Sequence, residues 1–307
     1  MRACALVLLA LLATPAAADP GDPVRLRVGT LAIDGSRYMI DSLALGAEIA
    51  RRTRGAVQLD WVANGQLGDD AAMAALIARG ELDGGGLTEV GLATLVPEMA
   101  VWGLPGVLGT DAEVDRATAA LDPAVRELFA QRGLAFAMWA DLGFARLFAR
   151  APIDDAVLRR AAPWLALPLD GKLTEAIASG RAPAWALPPL YMLALPDRPA
   201  RHAVDLRYRY VVGGLVFSRA AWARLSAGEQ ATVLEVCRAW EPRIRASWRK
   251  ETARGLATLA KLGVETRVTT AAERAAFAAA SAKLRAPRVD ALGLSTIAAK
   301  IAAALAD

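Results

Sequence analysis

The sequence predicts an α/β protein with two lobes around a cleft. Three observations lead there. Strand-like runs alternate with amphipathic helical stretches over the first 140 residues, the rhythm of an open sheet with helices packed on it. After the apolar run Leu134–Ala140, Asp141-Leu142-Gly143-Phe144 reads as the crossing into a second lobe, and Tyr208–Phe217 as the strand crossing back. Neither an internal repeat nor a low-complexity linker interrupts the pattern.

Val24–Thr30 (VRLRVGT) alternates apolar and charged residues, as a first strand should. Ile33–Ser36 is a turn whose serine caps a helix running to Thr53. Val57–Ala63 is the second strand, and Asn64-Gly65-Gln66 feeds a helix over Asp69–Arg79 that Gly80 stops. Leu82–Thr88 is a third, glycine-rich strand, and Pro97 and Pro105 break the stretch after it. Thr110 and Glu113 form a capping box, and Asp122-Pro123 is expected to open a separate helix ending near Gly133. Leu134–Ala140 is continuous and apolar, as for a buried parallel strand. Asp141-Leu142-Gly143-Phe144 is the expected first hinge, and Tyr208–Phe217 the strand crossing back. Ser226 and Glu229 open a long helix to about Leu262, with a bend expected at Pro242. Val264–Val268 is a last strand, Thr270 with Glu273 caps a helix, and a terminal helix is expected after Pro287.

The start of the chain addresses compartment. Met1-Arg2, an apolar run over Ala3–Ala13, and Thr14-Pro15-Ala16-Ala17-Ala18 have the order of a secretory signal peptide. The run is too short to remain as a membrane span. Cleavage after Ala18 leaves a mature chain from Asp19, with Cys237 as its one cysteine and hence no intramolecular disulfide. The net charge of +4 is small for 307 residues, and its arginines are interleaved with acids, so no nucleic-acid footprint is present.

Catalytic and metal motifs are missing. The sequence has no HExxH, CxxC, GxSxG or P-loop, and Gly84-Gly85-Gly86 fails the dinucleotide spacing because Glu89 holds the third glycine position. Cys237 falls on an apolar helical register and reads as a buried structural thiol. His202, the single histidine, sits in a Pro- and Arg-rich stretch and reads as a surface loop residue. The chain is therefore expected to be no enzyme, with no cofactor and no metal.

The stretch Asn64–Leu108, NGQLGDDAAMAALIARGELDGGGLTEVGLATLVPEMAVWGLPGVL, resembles the DctP-like family, the periplasmic solute-binding subunits of TRAP-type transporters. The resemblance extends more thinly from Val24 to about Leu259. It implies a periplasmic-binding-protein-like two-lobe α/β fold with a cleft, hinge crossings and a long connecting helix. Residues 19–140 would form lobe 1, with about 205–235 returning to it. Residues 141–204 would form lobe 2, with about 250–307 packing on it. It further implies a small-molecule ligand, a TRAP permease in the membrane and, in one subgroup, a TPR-repeat periplasmic lipoprotein as partner.

The departures from the family pattern lie in the second lobe. Family members carry an arginine that contacts ligand in a segment like "GfRhlftkkPi"; here Ala145 stands at that position, with Arg146 one residue late and facing the other way on a strand. No arginine falls in the strand expected around Trp164, which Arg159 and Arg160 precede, and about twenty residues normally following it are missing. The family's "vDg..npp" becomes Arg181–Pro189, without an aspartate. Lobe 2 is thus expected to be shortened.

A bidentate arginine contact to a buried carboxylate is worth roughly 1.5–3 kcal/mol. An unpaired buried carboxylate costs several kcal/mol instead. The aromatics Trp102, Trp139, Trp164, Trp185 and Tyr191 fit an apolar or amphipathic ligand, and each fits an ordinary core equally well. The expected ligand contacts are Trp139, Trp164, Trp185, Tyr191 and Phe144, oriented by polar groups at Ser36, Thr88 and Asp141. Two readings remain: a transport receptor that closes on its solute, and a degenerate relative serving as a scaffold with a collapsed cleft.

Overall fold

The structure, a computed structural model, describes residues 22–165, 171–195 and 197–306. The signal-peptide segment lies outside the described residues.

The first sheet has five strands in the order β2-β1-β3-β8-β4. They are β1 (Val24–Thr30), β2 (Val57–Val62), β3 (Gly84–Thr88), β4 (Ala135–Trp139) and β8 (Gly213–Phe217). β1 runs parallel to β2 and β3, whereas β8 is antiparallel to both β3 and β4. Leu26 and Val28 of β1 point into the core while Arg25 and Arg27 stay wet, so the alternation visible in the sequence fixes which face is buried. The glycines of β3 serve close packing. A Cβ on Gly84 would lie 2.7 Å from the Phe217 ring and from the Val216 carbonyl, so a larger residue would push β8 away.

The second sheet has four strands, in the order β6-β5-β7-β9. These are β5 (Gly143–Ala149), β6 (Ala184–Leu187), β7 (His202–Val211) and β9 (Glu265–Val268). The chain passes between sheets at residues 140–142 and again at Val212. The run read as one returning strand is therefore two strands: Tyr208–Val211 belongs to β7 of the second sheet, and Gly213–Phe217 to β8 of the first. A Cβ on Gly213 would fall 2.2 Å from the Ala140 carbonyl oxygen, so the two crossings touch backbone to backbone here. His202 opens β7, 3.3 Å from Glu265 of β9; the loop expected for it is strand because its backbone pairs with both β5 and β9.

Helices α1 (Arg37–Arg52), α2 (Asp70–Ala78) and α3 (Glu89–Leu95) start at Ser36, Asp69 and Thr88, whose side-chain oxygens accept from Met39, Ala72 and Val90 amides. α4 (Asp111–Gln131) carries the Thr110–Glu113 capping box and runs straight through Pro123. The expected break is absent because Leu121, Val125 and Phe129 form one buried stripe, whose burial outweighs the ~3 kcal/mol cost of an interior proline.

α5 (Asp155–Leu165) replaces the strand expected at Trp164. Asp154 accepts from the Val157 amide at 2.7 Å, and Val157 and Ala161 are buried one helical turn apart, so the helix is capped and anchored. The Trp164 side chain lies outside the described residues. Next come α6 (Gly171–Ala178), α7 (Pro189–Ala194), the short α8 (Arg219–Ala223) and the 35-residue α9 (Ala227–Lys261), which is helical through Pro242.

α10 (Ala271–Ala291) also continues through its proline, Pro287, and ends where Gly293 adopts φ +66°, so the terminal helix α11 starts only at Ser295. α11 packs on α4, and its Ile297 and Ile301 belong to the first-lobe core. The expectation that the chain's last 58 residues all pack on the second lobe fails there, because α4 offers the apolar face that α11 needs.

None of the described helices is long and apolar enough to cross a membrane.

Candidate functional site: a cleft between the sheets

In the first sheet β1 lies between β2 and β3, so the chain leaves β1 and β3 toward opposite sides of that sheet. Ligands of open α/β sheets collect at such a switch point, beyond the carboxyl ends of the strands. A cavity of about 60 Å³ lies there. Thr30 ends β1 and Thr88 ends β3; Ala140 and Leu142 come from the crossing, Tyr191 from α7 and Trp248 from α9. The wall thus combines both lobes, the crossing and the long helix.

The wall carries no charged side chain. Its polar side-chain groups are hydroxyls and the indole N–H groups of Trp61 and Trp248. Thr30 Oγ1 accepts from the Ala32 amide at 3.2 Å. The Tyr38 hydroxyl donates to the Leu142 carbonyl at 3.4 Å, and its ring meets Trp248 edge-on at 4.4 Å. Thr88 Oγ1 donates to Asp70 and accepts from the Val90 amide at 3.3 Å. Ser42 and Tyr191 complete this set.

Charge lies one layer behind the wall. Asp70 is fully buried beneath Thr88; burial pushes its carboxyl up to about 7, opposed by the bonds from Thr88. Glu89 is also raised by burial, against the pull of Arg209. That Arg209–Glu89 pair, 2.9 Å and buried on both sides, joins β7 of the second lobe to the start of α3 in the first. Near the crossing, Arg245 of α9 donates to Asp141 at 2.8 Å. Burial raises the Asp141 pKa despite that cation. The cavity therefore backs onto carboxyl groups, and Arg209 and Arg245 are each paired with one of them.

Outward from the cavity a crevice of about 390 Å³ continues past Ile33, Ser36, Tyr38, Leu190, Tyr191 and Glu251. Arg37 lies on it, but its guanidinium is held by Asp41 and by Ser247 Oγ at 2.9 Å.

The structure brings Thr88 and Tyr191 to the cavity and Ser36 to the crevice, where it is the α1 cap. Trp139 instead packs edge-on to Trp102 and Phe136, with its indole N–H donated to Asp122 at 2.9 Å. Trp185 is enclosed in the second lobe, its N–H 3.4 Å from Met192 Sδ. Phe144 stacks edge-on to Tyr210 beneath the Arg207 guanidinium. Asp141 is engaged by Arg245. These four do not line the cavity, because each finds its partners within a lobe or at the hinge.

Neither candidate arginine reaches the cavity. Arg146 is buried on β5, 3.6 Å from Asp205, and Arg160 is exposed on α5. Sequence reasoning missed Tyr38, Trp61, Leu142 and Trp248. Two signals were available: Tyr38 follows the Ser36 cap closely, and Trp248 repeats the buried register of Ile244 one turn on.

Comparison with known proteins agrees with this fold. Residues 29–155 match the family model DctP, described as bacterial extracellular solute-binding protein, family 7. No curated protein sequence matches this chain. Among solved structures, the chain is similar to a Bordetella pertussis extracytoplasmic solute receptor binding pyroglutamic acid (15% identity, TM-score 0.80, 92% of this chain and 99% of that one). A sugar acid binding protein from Advenella mimigardefordensis in complex with galactonate gives the same identity, TM-score and coverage. A TRAP periplasmic solute-binding protein from Desulfovibrio salexigens with bound orotic acid shares 18% identity, at TM-score 0.76 over 92% of this chain and 99% of that one.

The chain thus has the fold of a two-lobe solute-binding protein. Its match to the DctP family model lies in the first lobe and the start of the second.

Proposed function

We propose that the protein is the extracytoplasmic solute-binding subunit of a TRAP-type transporter and that it takes an apolar or amphipathic solute between its lobes. One observation supports the ligand class above the rest: the cavity wall is apolar and hydroxylic, with no cation free to meet a carboxylate. The similar receptors hold pyroglutamic acid, galactonate and orotic acid, all acids. Here Ala145 stands at the position where the family places its arginine, packed in the apolar core of the second lobe. A carboxylate entering this wall would lose its hydration without a cationic partner, at a cost of several kcal/mol. An apolar solute burying on the order of 200 Å² would gain roughly 5 kcal/mol.

A cavity of about 60 Å³ has room for a few waters, so a solute enters only when the lobes part. Hinge opening at the two crossings supplies that motion, and the closed, loaded form is the one a membrane permease would accept. Export by a signal peptide cleaved before Asp19 places the receptor outside the cytoplasm, and a TPR-repeat lipoprotein is a further partner of this arrangement. The small cavity also favours the second reading, a scaffold subunit whose cleft has collapsed.

Mass spectrometry of small molecules released from protein purified natively from its host separates the two. An apolar compound at about one equivalent supports the receptor. A carboxylic acid of low mass contradicts the ligand class, and an empty protein supports the scaffold.

A further inference from the structure

A second concave region lies away from the cleft, on the open face of the second sheet. α10 is fixed there by Phe277, whose ring centroid lies 5.7 Å from that of Tyr208, and by guanidinium contacts on either side of it. Near its start the Arg274 guanidinium donates to the Thr269 carbonyl, and farther along Arg285 donates to the carbonyls of Pro105 and Gly106 at 2.9 and 2.7 Å. Between these clamps Ser281 is the one residue of the helix that is buried. On the flank of the helix a groove of about 730 Å³ remains, inside the range of small-molecule sites.

Its floor is the apolar face of the sheet, Leu147, Val204, Leu206 and Tyr208, and its walls are Leu158 of α5 and Phe277 of α10. Leu284 lines it while 55% exposed, a cost in water that a bound apolar chain would relieve. Among the described residues the rim is cationic: Arg159, Arg267 and Arg288 against one acid, Glu273, which pairs with Arg267.

We propose that this groove is a second ligand site, for a long-chain monocarboxylate whose tail lies on the sheet and whose head group meets Arg159 or Arg288. Enclosure by two helices and a floor suits a narrow chain, and the surplus of positive charge at the mouth selects an anion over a neutral amphiphile. The groove shares no lining residue with the cleft, whose wall carries no cation.

The experiment is a titration of the full chain with dodecanoate and with dodecanol, following binding by calorimetry. Ala280 is exposed and lines the groove, so Ala280→Trp fills it without touching the core. We expect this variant to weaken dodecanoate binding at least 10-fold with an unchanged melting temperature. The double variant Arg159→Ser, Arg288→Ser should weaken dodecanoate about 10-fold and leave dodecanol within 2-fold.

Tyr191→Ala, in the cleft, should leave the groove's affinity intact, which keeps a failure here distinct from a failure of the transport reading. Dodecanoate binding that survives Ala280→Trp, or that Tyr191→Ala abolishes, would overturn the proposal, as would no binding at all.

Discussion

Asp70 is the residue whose chemistry is most displaced by the fold. It sits under the cleft wall, accepts from the Thr88 hydroxyl and amide, and is held protonated up to about pH 7 by burial. An unfolded aspartate titrates near 4. The folded state therefore binds the extra proton between these values, and stability falls as pH rises through that window, by up to ~1.4 kcal/mol per pH unit. Asp70→Asn keeps an acceptor for Thr88 and cannot ionise. We expect its melting temperature to gain on that of the wild type steadily from pH 4 to 7, as followed by circular dichroism. Parallel pH curves for the two proteins would show that Asp70 does not titrate in this window.

Among the elements, the crossings carry the most consequence for function. Gly213 begins β8 where the Ala140 carbonyl and the Leu87 carbonyl converge, 2.2 and 2.9 Å from the site a Cβ would occupy. Both neighbours are backbone, so neither can turn aside. Gly213→Ala should cost at least about 3 kcal/mol, the upper part of the overpacking range, read as a shift of the urea midpoint. A shift below 1 kcal/mol would mean that the crossings are looser than they stand here.

The alternation of β1 and the helix caps at Ser36, Thr110, Ser226 and Thr270 were legible because these signals are local. What misled was proline. Pro123 and Pro287 look like breaks, yet both lie inside helices set by burial or by a later glycine. At Val212 the sequence is uniformly apolar, so nothing local marks the change of sheet. Aromatics misled similarly. Trp139 and Trp185 have the composition of a binding cleft, but their N–H groups are already satisfied by Asp122 and Met192, a fact of tertiary packing that no window of sequence contains.

At the scale of the whole molecule, two lobes are joined by crossings, by α9 and by the buried Arg209–Glu89 pair, around a wall of hydroxyls and apolar side chains. Trp61 and Trp248 both line that wall, so intrinsic fluorescence reads its occupancy. The most direct measurement is a tryptophan-fluorescence titration of the mature chain with succinate, with pyruvate and with a series of longer aliphatic and aromatic compounds. The Ala280→Trp protein is unsuitable here because it adds a fluorophore, but Arg159→Ser, Arg288→Ser removes any contribution from the groove. We expect micromolar, saturable binding of at least one apolar compound, abolished by Tyr191→Ala, and no response to succinate or pyruvate at millimolar concentration. Micromolar binding of succinate or pyruvate, with no response to any apolar compound, would contradict the assignment and mean that an arginine reaches the cleft when the lobes open.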